Sequence, residues 1–549
     1  MQESFNKYLE DSIKSHWEMP ALTDFKGSTH LYKDVARKVE KIHILFEAAG
    51  IKKGDKIALC GRNSANWAIS FISIVSYGAV AVPILHDFKP DNVHHIVNHS
   101  ESKVLFAGDN VWENLNEAKM EDLLAVVNLT DFELFACKSA EIKHARLHLN
   151  ELFGKKYPNR FTPADIKYHN DHPNDLMLIN YTSGSTGFSK GVMLPYRSIW
   201  SNIKFCMENL EFLKPGDKLI SMLPMAHMYG LAVEVIHPIC KGCHIHFLTR
   251  TPSPKIIMDA FAEVKPKLIV AVPLIIEKII KTRVFPLLEK PMVKLMLNIP
   301  FVDQQLLGKV KNKLFETFGG NLQEMIIGGA AMNKEVEQFL RRIEFPYTVG
   351  YGMTECGPLI SYAPWKETKP TSCGRIVTRM QVRVDSTDPE NVVGEIHVKG
   401  DNVMLGYYKN EEATHAVFKE DGWMNTGDMG IVDKEGFIFL RGRSKNMILG
   451  PSGQNIYPEE IEDQLNNMPF VSESIVVEKE GKLVALIYPD FESADREGIP
   501  HDQIEAKMEE NRIALNPQLP AYSQISRVKI YFEEFEKTPK RSIKRYLYQ

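Results

Sequence analysis

The chain has 549 residues, of which 44% are hydrophobic and 25% charged, with a net charge of −4. That length excludes one compact domain and predicts about two to four. The sequence pI of about 6.5 argues against a nucleic-acid surface, and seven cysteines in so long a chain do not make a disulfide framework.

The N-terminus "MQESFNKYLEDSIK" is charged and amphipathic, so it does not read as a signal peptide. "DKIALCG" (55–61) reads as a buried strand. Trp67 to Leu85 is a long uncharged run with the length of a membrane span. Its serines, Gly78 and Pro83 point instead to a buried helix that stops at Gly78 and a short buried strand after it. "HPICKGCHIH" (237–246) has a C-x-x-C spacing, but no second ligand pair follows at zinc-finger distance, so a structural reading is favoured. "KLIVAVP" (267–273) and "EMIIGGAAM" (324–332) are further strands, and "NKEVEQFLRRI" (333–343) is a helix between such elements. This alternation predicts parallel sheets covered by helices, with ligands at the glycine-rich strand ends. After about residue 390 the pattern changes to short alternating strands with glycine turns, hence antiparallel sheet. "RGRSKNMILGPSGQNIYPEEIEDQL" (441–465) runs from a strand through a polar loop into a helix opened by Pro458, which places the start of a small C-terminal domain near Ser444.

Within this frame, "YTSGSTGFSKGVML" (181–194) follows the apolar run "DLMLIN". Thr182, Ser183, Gly184, Ser185, Thr186 and Gly187 offer hydroxyls and glycine amides with no bulk, and Lys190 adds positive charge. Such a loop can cradle phosphate oxygens. It is not a G-x-x-x-x-G-K-[ST] P-loop, and Ser183 stands where a G-x-S-x-G elbow needs glycine.

The same stretch resembles the phosphate-loop signature of the adenylate-forming (AMP-binding) enzymes, the family of acyl-CoA synthetases, firefly luciferase and peptide-synthetase adenylation domains. Seven further segments match the family in order: "LPMAHMYG" (223–230), "GGAAM" (328–332), "GYGMTECGP" (350–358), "GEIHVKG" (394–400), "GWMNTGD" (422–428), "RGRSKNMI" (441–448) and "SGQNIYPEEIE" (452–462). The resemblance is strongest to long-chain fatty acid–CoA ligases. It implies two half-reactions: a carboxylate attacks ATP to give acyl-AMP and pyrophosphate, then a thiol, usually coenzyme A, displaces AMP. On that resemblance, Thr354 donates to the α-phosphate, Glu355 ligates Mg²⁺, and Tyr351 stacks on adenine. Asp428 accepts the ribose hydroxyls, Arg443 assists, and Gly329 and Ala330 lie along adenine and the acyl chain. His227 lies by the substrate carboxylate. No aspartate stands between Leu223 and Glu234 to hold an amino group, which favours an acid without an α-amine.

The resemblance further implies an α/β multidomain fold. Residues 1–443 form a large N-terminal domain of parallel-rich α/β subdomains plus a β-barrel-like part. Residues 444–549 form a small, mobile α+β domain with its hinge near Lys445. Relatives end in K-T-x-x-G-K, whose last lysine enters the adenylation site. Here the text is "EKTPKRSIKRYLYQ", and that position falls on Ser542, flanked by Lys540 and Lys544. Lys544 is the preferred substitute. The expected substrates and cofactors are a fatty acid, ATP, Mg²⁺ and coenzyme A. The expected setting is cytoplasmic, with no nucleic acid and no transmembrane span, and compatible with peripheral membrane contact. An acyl carrier protein as acceptor, and a catalytically weakened nucleotide- or fatty-acid-binding protein, remain as alternatives.

Overall fold

The computed structural model describes residues 4–182, 190–249, 254–299, 301–450, 454–538 and 543–549. Two large sheets dominate. The first has eight strands in the order 406–407, 190–195, 176–182, 80–84, 56–60, 102–107, 125–128, 134–137. Its five middle strands, 176–182 to 125–128, are mutually parallel. The second has seven strands in the order 347–349, 324–327, 268–271, 218–221, 244–247, 20–24, 29–31, all parallel except the last pair. Helices cover both, as continuous Val/Ile/Leu runs buried on two faces require.

The uncharged run at 67–85 is a helix, Ala65–Tyr77, and a strand, Val80–Ile84. Ser64 caps the helix start by accepting from Trp67 N, and Gly78 ends it at φ 87°. The hydroxyls of Ser70 and Ser73 donate back to Asn66 O and Ile69 O, so these buried serines are satisfied inside the helix. Thirteen residues rise only about 20 Å, well short of a bilayer. Among the described residues no helix is long and apolar enough to cross a membrane.

The histidine–cysteine segment is packed rather than ligating. Helix His237–Lys241 ends at Gly242 (φ 82°) and strand His244–Phe247 follows. Burial pushes the thiols of Cys240 and Cys243 up to about 12. His244 Nε2 lies 2.7 Å from Thr23 Oγ1. Among the described residues no three His, Cys, Asp or Glu side chains are grouped to hold a metal.

Two antiparallel sheets follow. One has three strands (351–352, 359–362, 375–376) and the other four (380–385, 394–400, 424–432, 438–443). Beyond them, residues 471–479, 482–489 and 525–530 form a small sheet packed on helices Pro458–Leu465 and Ile504–Leu515. The two core clusters here draw on residues from Ile456 onward and are separate from the two clusters of the large sheets.

Candidate active site

Strands 218–221, 268–271, 324–327 and 347–349 lie side by side and run in the same direction. Four short segments therefore emerge at one edge of the sheet: 222–230, Val272, Gly328–Ala330 and Gly350–Tyr351. Ligand sites of open α/β sheets form at such carboxyl ends. The other sheet is tied to this edge by Asn180 Nδ2, which donates to Ala226 O at 2.8 Å.

Asn180 belongs to strand Leu176–Thr182, which leads into the glycine-serine loop. Residues 183–189, and with them Ser183, Gly184, Ser185, Thr186 and Gly187, lie outside the described residues. Their anchors do not. Strand Lys190–Pro195 returns antiparallel, pairing Thr182 with Lys190 and Tyr181 with Gly191. The loop thus joins two strands of a hairpin, whereas a P-loop leads into a helix. Gly191 is required by this pairing, since a Cβ there would lie 2.9 Å from Ile179 Cγ2 and 3.1 Å from the Tyr181 ring.

Lys190 is placed by a residue that the sequence motifs do not mark. Tyr407, on the two-residue strand Gly406–Tyr407, pairs with the outer face of the hairpin. The Lys190 ammonium lies over its ring, 4.9 Å from the centroid. The Tyr407 hydroxyl donates to Glu355 Oε1 at 2.9 Å. Tyr407 therefore joins the lysine after the glycine-serine loop to the carboxylate of "GYGMTECGP". Its only local signal is an aromatic pair in "LGYYKN", which names no chemistry.

Thr354 and Glu355 form a 3₁₀ turn, Thr354–Cys356, between strands 351–352 and 359–362. Thr354 is buried and Glu355 half-buried. Met404 N donates to Glu355 O at 2.9 Å, which fixes the backbone of the turn.

Tyr351, Asp428 and Arg443 form one cluster. Asp428 and Arg443 face each other across strands 424–432 and 438–443. Arg443 Nε lies 2.7 Å from Asp428 Oδ1, and the Tyr351 hydroxyl donates to Oδ2 at 2.6 Å. Only 7% of the Asp428 side chain is exposed, against 48% for Arg443. Burial pushes the Asp428 carboxyl above the usual carboxylate range, while the Arg443 cation and the Tyr351 hydroxyl pull it back. Glu355 adds like charge and pushes it the same way as burial. Lys445, two residues beyond Arg443, is exposed, with its side chain drawn partly out of water. Burial lowers its ammonium, Arg443 and Lys190 lower it further, and Asp428 opposes them. Two carboxylates and three cations therefore share one field.

In the segment 222–230, His227 caps the short helix Met228–Gly230, its Nδ1 accepting from Tyr229 N at 3.3 Å. A neutral ring in this role carries its proton on Nε2. Tyr229 donates to Ile326 O at 3.0 Å. Its ring covers Gly328, where a Cβ would come within 3.1 Å. Gly329 (φ 86°) and Ala330 follow and are exposed, which leaves their backbone open to approach.

Of the C-terminal candidates only Lys544 lies within the described residues. Lys540 and Ser542 lie outside the described residues. Lys544 is on the surface, its Nζ 3.0 Å from Glu536 Oε2. Neighbouring Arg545 pairs with the buried Glu462 of helix Pro458–Leu465. In this arrangement Lys544 is part of the C-terminal unit's own surface and not of the Tyr351–Asp428–Arg443 cluster.

The chain is similar to known proteins along most of its length. A long-chain-fatty-acid–CoA ligase of Mycobacterium bovis is 28% identical over 466 residues, covering 81% of this chain and 74% of that one. A 4-coumarate–CoA ligase of Narcissus pseudonarcissus is 26% identical over 494 residues, covering 86% and 81%. The fold is similar to that of ATP-bound MatB from Rhodopseudomonas palustris, with a TM-score of 0.77, 22% identity, and 99% and 98% of the two chains covered. Residues 445–548 match the C-terminal domain of AMP-binding enzymes. Residues 9–408 match the AMP-binding enzyme model itself, and with that much of its length covered, the chain belongs to the AMP-binding, adenylate-forming enzyme family.

Proposed function

We propose that the protein is an ATP-dependent acid–thiol ligase that activates a fatty acid, of the long-chain type, as acyl-AMP and passes it to coenzyme A. The observation that carries this reading is the convergence of Lys190, Glu355, Tyr351, Asp428 and Arg443. They come from four separate segments and meet beside the carboxyl edge of the seven-stranded sheet. Relatives among long-chain and coumarate ligases support the acid–CoA class. The missing aspartate between Leu223 and Glu234 favours an acid without an amine.

Each residue has a task in this scheme. Asp428, fixed on both oxygens, accepts the ribose hydroxyls, and Tyr351 both presents its ring and holds Asp428. Lys190 and Thr354 neutralise and orient phosphate, with Thr182 and the loop 183–187 as backbone and hydroxyl donors. His227 offers Nε2–H to the substrate carboxylate. Gly329 and Ala330 admit the adenylate along their backbone. Glu355 is the residue that would hold Mg²⁺, with one oxygen steadied by Tyr407. One carboxylate is a small part of what this hard cation needs, and phosphate oxygens and water would complete the shell. When bound, the metal supplies charge neutralisation on the phosphates. Lys445 is the hinge about which residues 444–549 would turn between the half-reactions.

Ser542 at the family's lysine position favours a second reading, a weakened enzyme that binds nucleotide and acid. One experiment separates the two. Pyrophosphate release is measured with a panel of short-, medium- and long-chain fatty acids and coumarate, with coenzyme A, with acyl carrier protein and with neither. Release that depends on a fatty acid, with thioester formed on coenzyme A, supports the ligase. Nucleotide binding without release with any acid supports the weakened enzyme, and thioester on the carrier protein alone corrects the acceptor.

A further inference from the structure

Between strands 268–271 and 324–327 the chain makes a helical excursion whose surface is unlike the rest of the molecule. Helix Pro291–Leu297 is apolar on both sides. Leu297 packs against the core beneath the seven-stranded sheet, with Phe285 and Leu288 of the preceding turn. The opposite face does not pack. Met292, Leu295, Met296 and Ile299 recur at i, i+3, i+4 and i+7, the spacing of one helical face, and all are exposed, Met292 at 76% and Leu295 at 67%. Beyond the helix Phe301 is 78% exposed, and before it Leu287 is 54% exposed. Scattered exposed apolar residues need no explanation, but a contiguous patch of this kind marks a contact site.

The charge around the patch indicates what it contacts. Residues 278–313 carry eight Lys/Arg against two Asp/Glu, a net +6, in a chain whose net charge is −4. Lys290 and Lys294 lie within the apolar segment itself, both exposed. The cores of protein–protein interfaces are depleted in lysine. Exposed Leu, Met and Phe side chains with lysines among them are instead the composition of helices that lie in a membrane interface, where the ammonium groups meet anionic headgroups.

We propose that residues 287–299, with Phe301, form a docking surface for an anionic lipid bilayer, with Met292, Leu295, Met296, Ile299 and Phe301 entering the headgroup–acyl boundary and Lys290 and Lys294 holding lipid phosphates or carboxylates. The excursion leaves the seven-stranded sheet at Val272 and rejoins it at Glu324, on adjacent strands. The same two strands carry Val272 and Gly329–Ala330 of the candidate site. Docking would therefore seat the acyl side of the enzyme near the phase in which long-chain acids reside.

The test is flotation of the full-length protein with vesicles of phosphatidylcholine alone or with about 30 mol% phosphatidylserine, at about 0.1 M and about 1 M salt. The wild type is expected to float with the anionic vesicles at low salt, and at least tenfold less with neutral vesicles or at high salt. Met292→Glu/Leu295→Glu/Phe301→Glu, all at exposed positions, is expected to lose flotation while keeping its circular dichroism and melting curve. Lys290→Glu/Lys294→Glu is expected to lose the salt-sensitive part. Vesicle binding needs no turnover, so it succeeds or fails independently of the proposed reaction. A wild type that does not float, or a triple variant that floats as well as wild type, overturns the proposal. So does a dimer in sedimentation velocity that forms without lipid and is dispersed by the triple variant, since the patch would then be a contact between copies.

Discussion

Asp428 and Lys544 were both singled out by motif position, and the molecule treats them in opposite ways. Asp428 is buried, with partners brought from elsewhere: Arg443 across a strand pair and Tyr351 from another sheet. Lys544 is on the surface and paired with Glu536, eight residues away in the same tail. Exposed pairs of this kind contribute about 0–1 kcal/mol, so Lys544 can leave Glu536 at little cost. Asp428 cannot leave its partners without stranding a buried carboxylate. In the proposed reaction, Asp428 would be a part of the site built before any ligand arrives, and Lys544 a part that would have to travel to it. Arg545 joins the tail to Glu462, itself buried in the C-terminal unit. A journey by Lys544 to the nucleotide would therefore have to carry helix Pro458–Leu465 with it or break the Arg545–Glu462 pair.

The comparison can be broken first at Glu355. Glu355→Gln keeps an acceptor for Tyr407 but removes the charge, and pyrophosphate release should fall about 10²- to 10³-fold with folding intact. Near-normal release from the folded variant would take Glu355 out of the mechanism. Glu324 sharpens the comparison from another side, because it is a buried carboxyl whose two contacts are neutral. Its Oε1 accepts from the Tyr362 hydroxyl at 2.9 Å and from Trp365 N at 3.1 Å. Burial pushes it up to about 7 despite these bonds. A folded-state value above the unfolded one means that the folded chain holds the proton longer. The associated stability is present below about pH 4.5 and is lost as the pH rises to about 7, by about 3 kcal/mol. Urea denaturation at pH 5 and pH 8 should show this loss in the wild type and a smaller one in Glu324→Gln. Equal losses would assign the slope to other groups.

Asp428→Asn is the next smaller effect. It retains an oxygen for Tyr351 and gives up the partner charge of Arg443, so AMP affinity by calorimetry should fall about ten- to a hundredfold. Unchanged affinity would place the ribose elsewhere. Last is Lys544→Ala, expected to change unfolding stability by no more than about 0.5 kcal/mol and to slow acyl-AMP formation about tenfold. Thioester formation from supplied acyl-AMP should be spared. If rapid-quench kinetics show acyl-AMP forming at the wild-type rate, Lys544 is a surface residue of the tail and nothing more.

Local chemistry in the sequence determined much of this protein. Continuous apolar runs marked the parallel strands 56–60, 268–271 and 324–327, because a strand buried on both faces leaves no room for alternation. Ser64 and Gly78 bounded the helix between them by capping, which is a property of the residues themselves. The glycine-rich segments marked where backbone must lie open, and two of them, 328–330 and 350–352, emerge at one edge of the seven-stranded sheet. What the tertiary structure decided depended on partners far apart in sequence. Strand 190–195 returned antiparallel beside 176–182, so the glycine-serine segment joins two paired strands and does not lead into a helix. Tyr407 came to rest between Lys190 and Glu355 from more than fifty residues beyond the latter. The histidines and cysteines of 237–246 were absorbed into the core, and Met292, Leu295 and Phe301 were left outside it. Periodicity reports which face of an element is apolar. Whether another element arrives to cover that face, or to complete a charge cluster, is set by how the chain packs, and no local pattern records it.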